Sequence, residues 1–306
     1  MEEYQMYRLK KVNLYASEIA EYLNSELHGD DFIVNNPCSP ENVVEQSLVL
    51  VENTSQFAKL HLNSPNKVLL IIPETDENMM GFSYIKSSNP RLDFIRVINE
   101  FFTQMEVLRI SPTANISPEA KLDRNVSVGE HVVIGPDVKI GENTSIYNNV
   151  VIEGQVEIGS NCIIKDNTTI GSTGYNFVLD ESGTPLQFPN IGKIIIGNNV
   201  WIGSNCSIES ATLENTHIAD NVKVDDLVQI GYSSRIGENS MITAGVIINR
   251  FVKIGKKCNI MPNVSISEKV SIGDRTIVGI GAVVLSELEP NSVYVGNPAR
   301  FLKENN

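Results

Sequence analysis

An aliphatic residue returns at every sixth position along most of this chain. The first run reads Ile110, Ile116, Leu122, Val128, Ile134, Ile140, Ile146, Ile152, Ile158, Ile164, Ile170. The second runs from Ile218 through Val224, Ile230, Ile236 and Ile242 to Val278 and Val284, and Ile196, Ile202 and Ile208 keep the step between the two. A period of six matches neither the turn of a helix nor the alternation of a half-buried strand. It is the step of a solenoid in which each unit supplies one short strand and one corner. A sandwich of short strands spaces its turns longer and less evenly.

Four residues after each aliphatic the chain places a small or β-branched residue, such as Val126, Val132, Val138, Thr144, Val150, Cys162, Thr168, Val222 and Cys258. A narrow interior takes one large aliphatic per strand and a small partner at each corner. Asn, Asp and Gly in the remaining positions tolerate tight corners and positive φ.

The 306 residues have room for two domains. A formal charge of −13 argues against general binding to nucleic acid or to an anionic membrane. The strongest apolar stretch, Val68 to Ile72, is far shorter than the ~20 residues of a membrane span and reads as a buried strand. The charged N-terminus lacks a signal-peptide apolar region, so the expected location is the cytoplasm. Cys162, Cys206 and Cys258 fall on the small-residue position and read as core fillers. No paired Cys or His spacing calls for zinc, and no metal is expected.

Residues 1–109 lack the six-residue step and read as a small α/β domain. Tyr15 to Leu27 has the pattern of an amphipathic helix, and Leu48 to Val51 and Val68 to Ile72 read as buried strands. Asn89-Pro90 starts a second helix, expected to run to about Gln104 with Leu92, Ile95, Val97, Ile98, Phe101 and Phe102 on its apolar side. The solenoid is expected over residues 110–288, with a loop insertion over residues 171–193 too long for a corner and a shorter one around Leu213 to Thr216. Residues 289–306 form a C-terminal tail.

The repeat resembles the hexapeptide acyltransferase superfamily, and the resemblance implies a mainly β fold: a left-handed parallel β-helix with three hexapeptides per coil, usually a homotrimer with active sites between neighbouring helices. Glu26 to Asp30, Pro37 to Val44 and Leu48 to Asn53 resemble the uridine-binding domain of the UDP-3-O-acylglucosamine N-acyltransferases of lipid A synthesis. Asn89 to Phe101, Gly171 to Gly192 and the insertion after Ile208 also resemble parts of that family. The chain departs where the family places its catalytic histidine: after Gln229-Ile230-Gly231 comes Tyr232. A second family histidine falls at Lys269, and the family's Asp-Arg-Gly is Glu209-Ser210-Ala211 here.

The ending, Val278 to Val284, Pro290 to Val293 and Gly296-Asn297-Pro298-Ala299-Arg300, resembles that of coenzyme-A-dependent sugar acetyltransferases. That resemblance implies acyl-CoA as co-substrate rather than a resident cofactor, held by Gly281, Ala282, Gly296, Asn297, Pro298 and Arg300, with N–H groups near Gly281 and Ala282 facing it. Arg250, Lys253, Lys256, Lys257, Arg300 and Lys303 could meet its phosphates or be a solvated surface.

Domain order, length and two carboxylates resemble the N-acyltransferases of dTDP-anthrose biosynthesis. The implied reaction moves a short, 3-hydroxyacyl type group from CoA to the amine of dTDP-4-amino-4,6-dideoxyglucose. Asp93 and Glu100 lie two turns apart on one side of the second helix, with Arg96 between them. They are either a solvated helix face or the groups that orient the amine and accept its proton. Asp225, Asp226, Gln229 and Tyr232 are the candidate sugar contacts, and Asn53 and Phe57 the candidate nucleotide contacts, against ordinary turn and core roles. No Ser-His-Asp or Cys-His arrangement is visible, and His28, His61, His131 and His217 are poor catalytic candidates. The alternatives are an acyl-carrier-protein-dependent UDP-amino-sugar N-acyltransferase of lipid A type and a non-catalytic β-helix scaffold.

Overall fold

A computed structural model describes residues 7–53, 56, 57, 60, 67–74, 81–105 and 110–305. The chain divides into two compact units at residues 106 and 107.

The first unit is built on a five-stranded sheet in the order Leu27–His28, Ser83–Ser87, Val68–Pro73, Ser47–Leu50, Asn36–Cys38. All pairs are parallel except the first. Val68–Pro73 is central and serves two cores by alternation. Leu69 and Ile71 pack with Leu48, Ile85 and Ile19. Val68, Leu70 and Ile72 pack on the other side with Val49, Leu60 and Tyr84. The first helix, α1 (Ala16–Tyr22), is shorter than its pattern suggests and buries Ala16, Ile19 and Ala20. The second, α2 (Pro90–Val97), starts with Pro at its first turn, and the Asn89 side chain accepts the Leu92 N–H at 3.2 Å. It widens into a π-helical turn over Ile98–Phe102 and stops. It does not reach Gln104, because Thr103–Met105 instead pairs antiparallel with Tyr7–Leu9. Leu92 and Ile95, expected on the apolar side, are 41% and 47% exposed, whereas Val97 and Phe102 are fully buried.

The second unit is a parallel β-helix, as the six-residue step predicts. Among the described residues its three faces carry nine, eight and ten strands, the last two of the ten being the C-terminal hairpin. Each strand pairs with the one a full coil later: Val128 with Ile146, Ile134 with Ile152, Ile140 with Ile158. The aliphatic positions point inward, and from Val128 to Val284 they are 0–4% exposed. Two insertions leave this register intact on either side. Ile158 pairs with Ile196 across the first, and Ile196 with Ile218 across the second. The first insertion is a β-hairpin of Phe177–Leu179 with Pro185–Gln187. The tail is a hairpin too: Ser292–Val295 pairs with Ile277–Val278, and Arg300–Glu304 folds back against it.

Most corners hold one left-handed residue, and Asn takes the position at residues 125, 143, 149, 161, 167, 199, 205, 221, 239 and 263. Asn tolerates this conformation because its short side chain bonds locally. Leu227 and Phe251 are the bulky apolar residues held there, at φ 62° and 60°, an uncommon state for such side chains.

Hydroxyls at the small interior positions tie coil to coil. Thr168 Oγ1 donates to the Gly203 carbonyl at 2.7 Å and accepts the Cys206 N–H at 3.0 Å. Thr144, Ser234 and Ser240 repeat the bridge. Replacing Thr168 by Val keeps the shape and leaves two buried backbone groups without this partner. Urea unfolding should register a loss of about 2–3 kcal/mol; a change under about 0.5 kcal/mol would show that the bridge contributes nothing. Cys162, Cys206 and Cys258 are buried as expected, and burial pushes their thiols up.

Candidate functional site

Where the first insertion leaves the coil, the strand runs past its corner. Thr169–Thr173 pairs with Ser207–Ser210, with a bulge after Ile170. That extension carries Glu209 beyond the six-residue pattern and onto the outer surface. The next coils on this side supply Gln229, Gly231 and Tyr232, then Asn249 and Arg250, then Glu268. Tyr175 and Phe177 come from the insertion, and together these residues line an open cavity of about 410 Å³.

Glu209 is one of the residues that line it. Its carboxylate accepts the Tyr232 backbone N–H at 3.2 Å and the Gln229 side-chain amide at 3.5 Å. Gly174 lies against it so closely that an added Cβ would be 2.6 Å from Glu209 Oε2 and 2.4 Å from Tyr232 Cδ1. Burial raises the Glu209 carboxyl above its ordinary range, against the opposing bonds from Tyr232 and Gln229. Tyr232 is 2% exposed. Its hydroxyl accepts Arg250 Nη1 at 2.9 Å, and its ring meets Phe251 edge-on at 5.4 Å. Arg250 Nε donates to Glu268, which holds the Glu268 carboxyl below its usual range. The left-handed Phe251 thus packs on the buried ring of the site, where backbone strain and function tend to coincide.

The raised carboxyl sets a sign. Glu209 holds its proton more tightly in the native state than in the unfolded chain, so its contribution to stability is present below the unfolded pKa and is lost as pH rises through the folded one. Glu209→Gln should therefore melt higher than the parent at pH 7, with the gap closing in acid. A gap that is constant with pH in paired thermal melts would contradict this.

The structure places Gln229 and Tyr232 on one cavity and adds Glu209, Arg250, Glu268, Tyr175 and Phe177 to them. Arg250, read as a partner for CoA phosphates or a solvated surface charge, bonds instead to Tyr232 and Glu268. Asp226 is a corner residue: its Oδ1 accepts the Ser204 N–H at 2.7 Å and pairs with Lys165 at 3.2 Å. The same bond recurs where Asn148 and Asp166 cap neighbouring coils. Asp225 accepts the Asp226 N–H and is exposed.

Asp93 and Glu100 lie in the first unit. The Asp93 carboxylate accepts Ser87 Oγ at 2.6 Å and pairs with Arg96 at 3.0 Å. Glu100 is exposed within the π-helical turn, where regular α-helical spacing from Asp93 no longer holds. The Asn53 side chain accepts the Gln56 N–H at 3.0 Å, and Phe57 meets Phe82 edge-on at 6.0 Å, which are turn and core contacts.

At the far end, the Gly281 and Ala282 N–H groups do not face outward for a ligand. They bond within the coil to Pro262 and Gly279 carbonyls at 2.9 and 3.2 Å. The Gly296 carbonyl accepts the Val283 N–H at 3.1 Å, Asn297-Pro298 is a cis peptide, and Arg300 is exposed. His28 stacks on Tyr84 at 4.8 Å, and burial with Arg235 nearby lowers His217. His131 is a left-handed corner residue, and His61 lies outside the described residues. Among the described residues no group of three or more His, Cys, Asp or Glu is placed to hold a metal ion, and no helix is long and apolar enough to cross a membrane.

Comparison with known proteins agrees with this architecture. The family described as bacterial transferase hexapeptide (six repeats) matches residues 137–172. UDP-3-O-acylglucosamine N-acyltransferase 1 of Legionella pneumophila (strain Paris) is 39% identical over 229 residues, covering 68% of this chain and 64% of that protein. UDP-3-O-acylglucosamine N-acyltransferase of Aromatoleum aromaticum is 38% identical over 221 residues, 66% of this chain and 65% of that protein. The chain thus spans under two thirds of the length of these relatives. Among solved structures, the UDP-N-acetylglucosamine acyltransferase of Francisella novicida superposes with a TM-score of 0.60 at 23% identity, covering 64% of this chain and 70% of that one. Coil and comparisons define a left-handed parallel β-helix of hexapeptide repeats. Residues 137–172 match the bacterial transferase hexapeptide family, and the same six-residue step continues through the rest of the coil.

Proposed function

We propose that this protein moves an acyl group from a thioester to the amine of a UDP-linked amino sugar. The observation that carries the reading is the placement of Gln229, Gly231 and Tyr232 around one cavity under the inserted hairpin, on a chain 39% identical to a UDP-3-O-acylglucosamine N-acyltransferase. These relatives favour a UDP-linked acceptor over the dTDP-linked deoxysugar, and a donor of the lipid A kind, acyl carrier protein, over CoA. The engaged N–H groups of Gly281 and Ala282 weigh in the same direction. An amine needs only to be neutral and well placed to attack a thioester, so positioning carries much of the rate. The missing histidine is therefore compatible with an amine acceptor and less so with a hydroxyl.

Outward positions also support assembly of three copies side by side. One face presents Lys121, Lys139, Glu157, His217, Arg235 and Lys253. Another presents Val133, Val151 and Ile247, and the third Ile163, Trp201, Met241 and Ile277. Charged side chains are depleted from stable contacts and apolar ones are retained.

The test is mass spectrometry of the purified protein with UDP-linked amino sugars, each offered acyl carrier protein and CoA thioesters, with a dTDP-linked amino sugar alongside. A UDP-sugar amide formed from the carrier-protein thioester is expected. Absence of amide from every pair would refute the reading, and turnover of the dTDP-linked sugar alone would transfer it to the deoxysugar enzymes.

A further inference from the structure

Three ionised groups border the cavity, and two of them satisfy each other. Arg250 and Glu268 form an ion pair, and Arg250 also donates to the Tyr232 hydroxyl. Tyr232 is a buried phenol whose oxygen already takes that bond. Glu209 is different. Among the described residues no cation pairs with it, and its bonds come from one backbone N–H and one amide. A carboxylate has about four acceptor sites, so capacity remains on the cavity side. The close approach of Gly174 covers part of it.

We propose that Glu209 is the proton acceptor for the attacking amine, occupying the role of the histidine this chain lacks, and that Tyr232, Arg250 and Glu268 are positioning residues for it. This deepens the function proposed above and rests on it. The amine nitrogen bonds to the thioester carbonyl carbon, and the carbonyl π electrons move to oxygen. The nitrogen, now cationic, passes a proton to the Glu209 carboxylate. The carbonyl re-forms, the C–S bond breaks, and the departing thiolate takes that proton from the Glu209 carboxyl. The products are amide and thiol, with Glu209 ionised again. Its raised pKa supports the second transfer, since a carboxyl nearer the operating pH gives and takes a proton more evenly. The charged and titratable groups facing it are Tyr232, Arg250 and Glu268 from the coil and Tyr175 from the insertion.

Glu209→Gln is the decisive variant, because glutamine oxygen still accepts the Tyr232 N–H. A proton acceptor lost there lowers kcat by about 10²–10⁴-fold, leaves KM for the sugar within a few fold, and removes the Glu209 ionisation from the acid limb of the kcat profile, leaving only that of the amine in kcat/KM. Glu209→Ala should recover part of its rate in added formate. If Glu209→Gln keeps kcat within about threefold with the acid limb of the kcat profile intact, Glu209 is only a hydrogen-bond acceptor and this inference falls alone. If the parent protein makes no amide from any donor and acceptor, the proposed function falls and takes this with it.

Discussion

Gly171→Ala is expected to cost about 3–5 kcal/mol, near the upper end for a single substitution. Gly171 is the first residue off the coil, at φ 102°, and an added Cβ would lie 1.7 Å from the Glu153 carbonyl oxygen and 2.8 Å from its carbon. The obstacle is backbone of the preceding coil, and Glu153 is itself held by its N–H bond to the Ile170 carbonyl at 3.0 Å. Neither side can retreat without opening that rung. The Gly171 carbonyl also accepts Ser210 Oγ at 2.9 Å, so the strain reaches the strand carrying Glu209. Gly183→Ala is the control. It too has positive φ, 83°, but nothing lies within 4 Å of its added Cβ, so only the conformational term of about 1–2 kcal/mol remains. Trp201, the single tryptophan, reports unfolding of both variants in urea by fluorescence. Equal midpoints for the two would show that the clash is relieved at no cost.

Gly174→Ala should separate activity from stability. The new methyl meets Tyr232 Cδ1 at 2.4 Å and Glu209 Oε2 at 2.6 Å. The ring cannot easily move away, since Phe251 stands against it and its hydroxyl is held by Arg250. Either the insertion lifts or the ring turns, and both displace the carboxylate. Misplacement by about 1 Å can cost a hundredfold in rate, so a fall of about 10²-fold or more in amide formation is expected. The hairpin strands are exposed and add little to the core, so the unfolding midpoint should shift by no more than about 1–2 kcal/mol. A variant with full activity would show that the cavity is not where the chemistry happens.

The coil was legible in the sequence because its interior is one-dimensional. Every aliphatic from Val128 to Ile170 lands inside, since one spacing sets both strand and corner. Ile110, at the open end of the stack, is the exception at 54% exposed, with only an isolated bridge to Val128. The site was legible in part. Gln229 and Tyr232 stood out against a family pattern, but Arg250 and Glu268 did not. A six-residue step exposes what lies within; side chains on the outside meet their neighbours one full coil away. Tyr232, Arg250 and Glu268 fall into one column only at that longer step. Glu209 stood out only as a departure from the family's Asp-Arg-Gly, and its place in the cavity was not legible, because it lies where the pattern breaks and the chain runs past a corner. Asp93 and Glu100 show the converse: helical spacing identifies a shared side without saying what that side faces, and here Ser87 and Arg96 occupy Asp93.

The two insertions resume pairing as if nothing had intervened, Ile158 with Ile196 and Ile196 with Ile218. Scaffold and insertion are thereby uncoupled in heredity. A segment can be lengthened, traded or redecorated beyond its root without disturbing the pairing on either side, so one rigid spindle can carry a different flap.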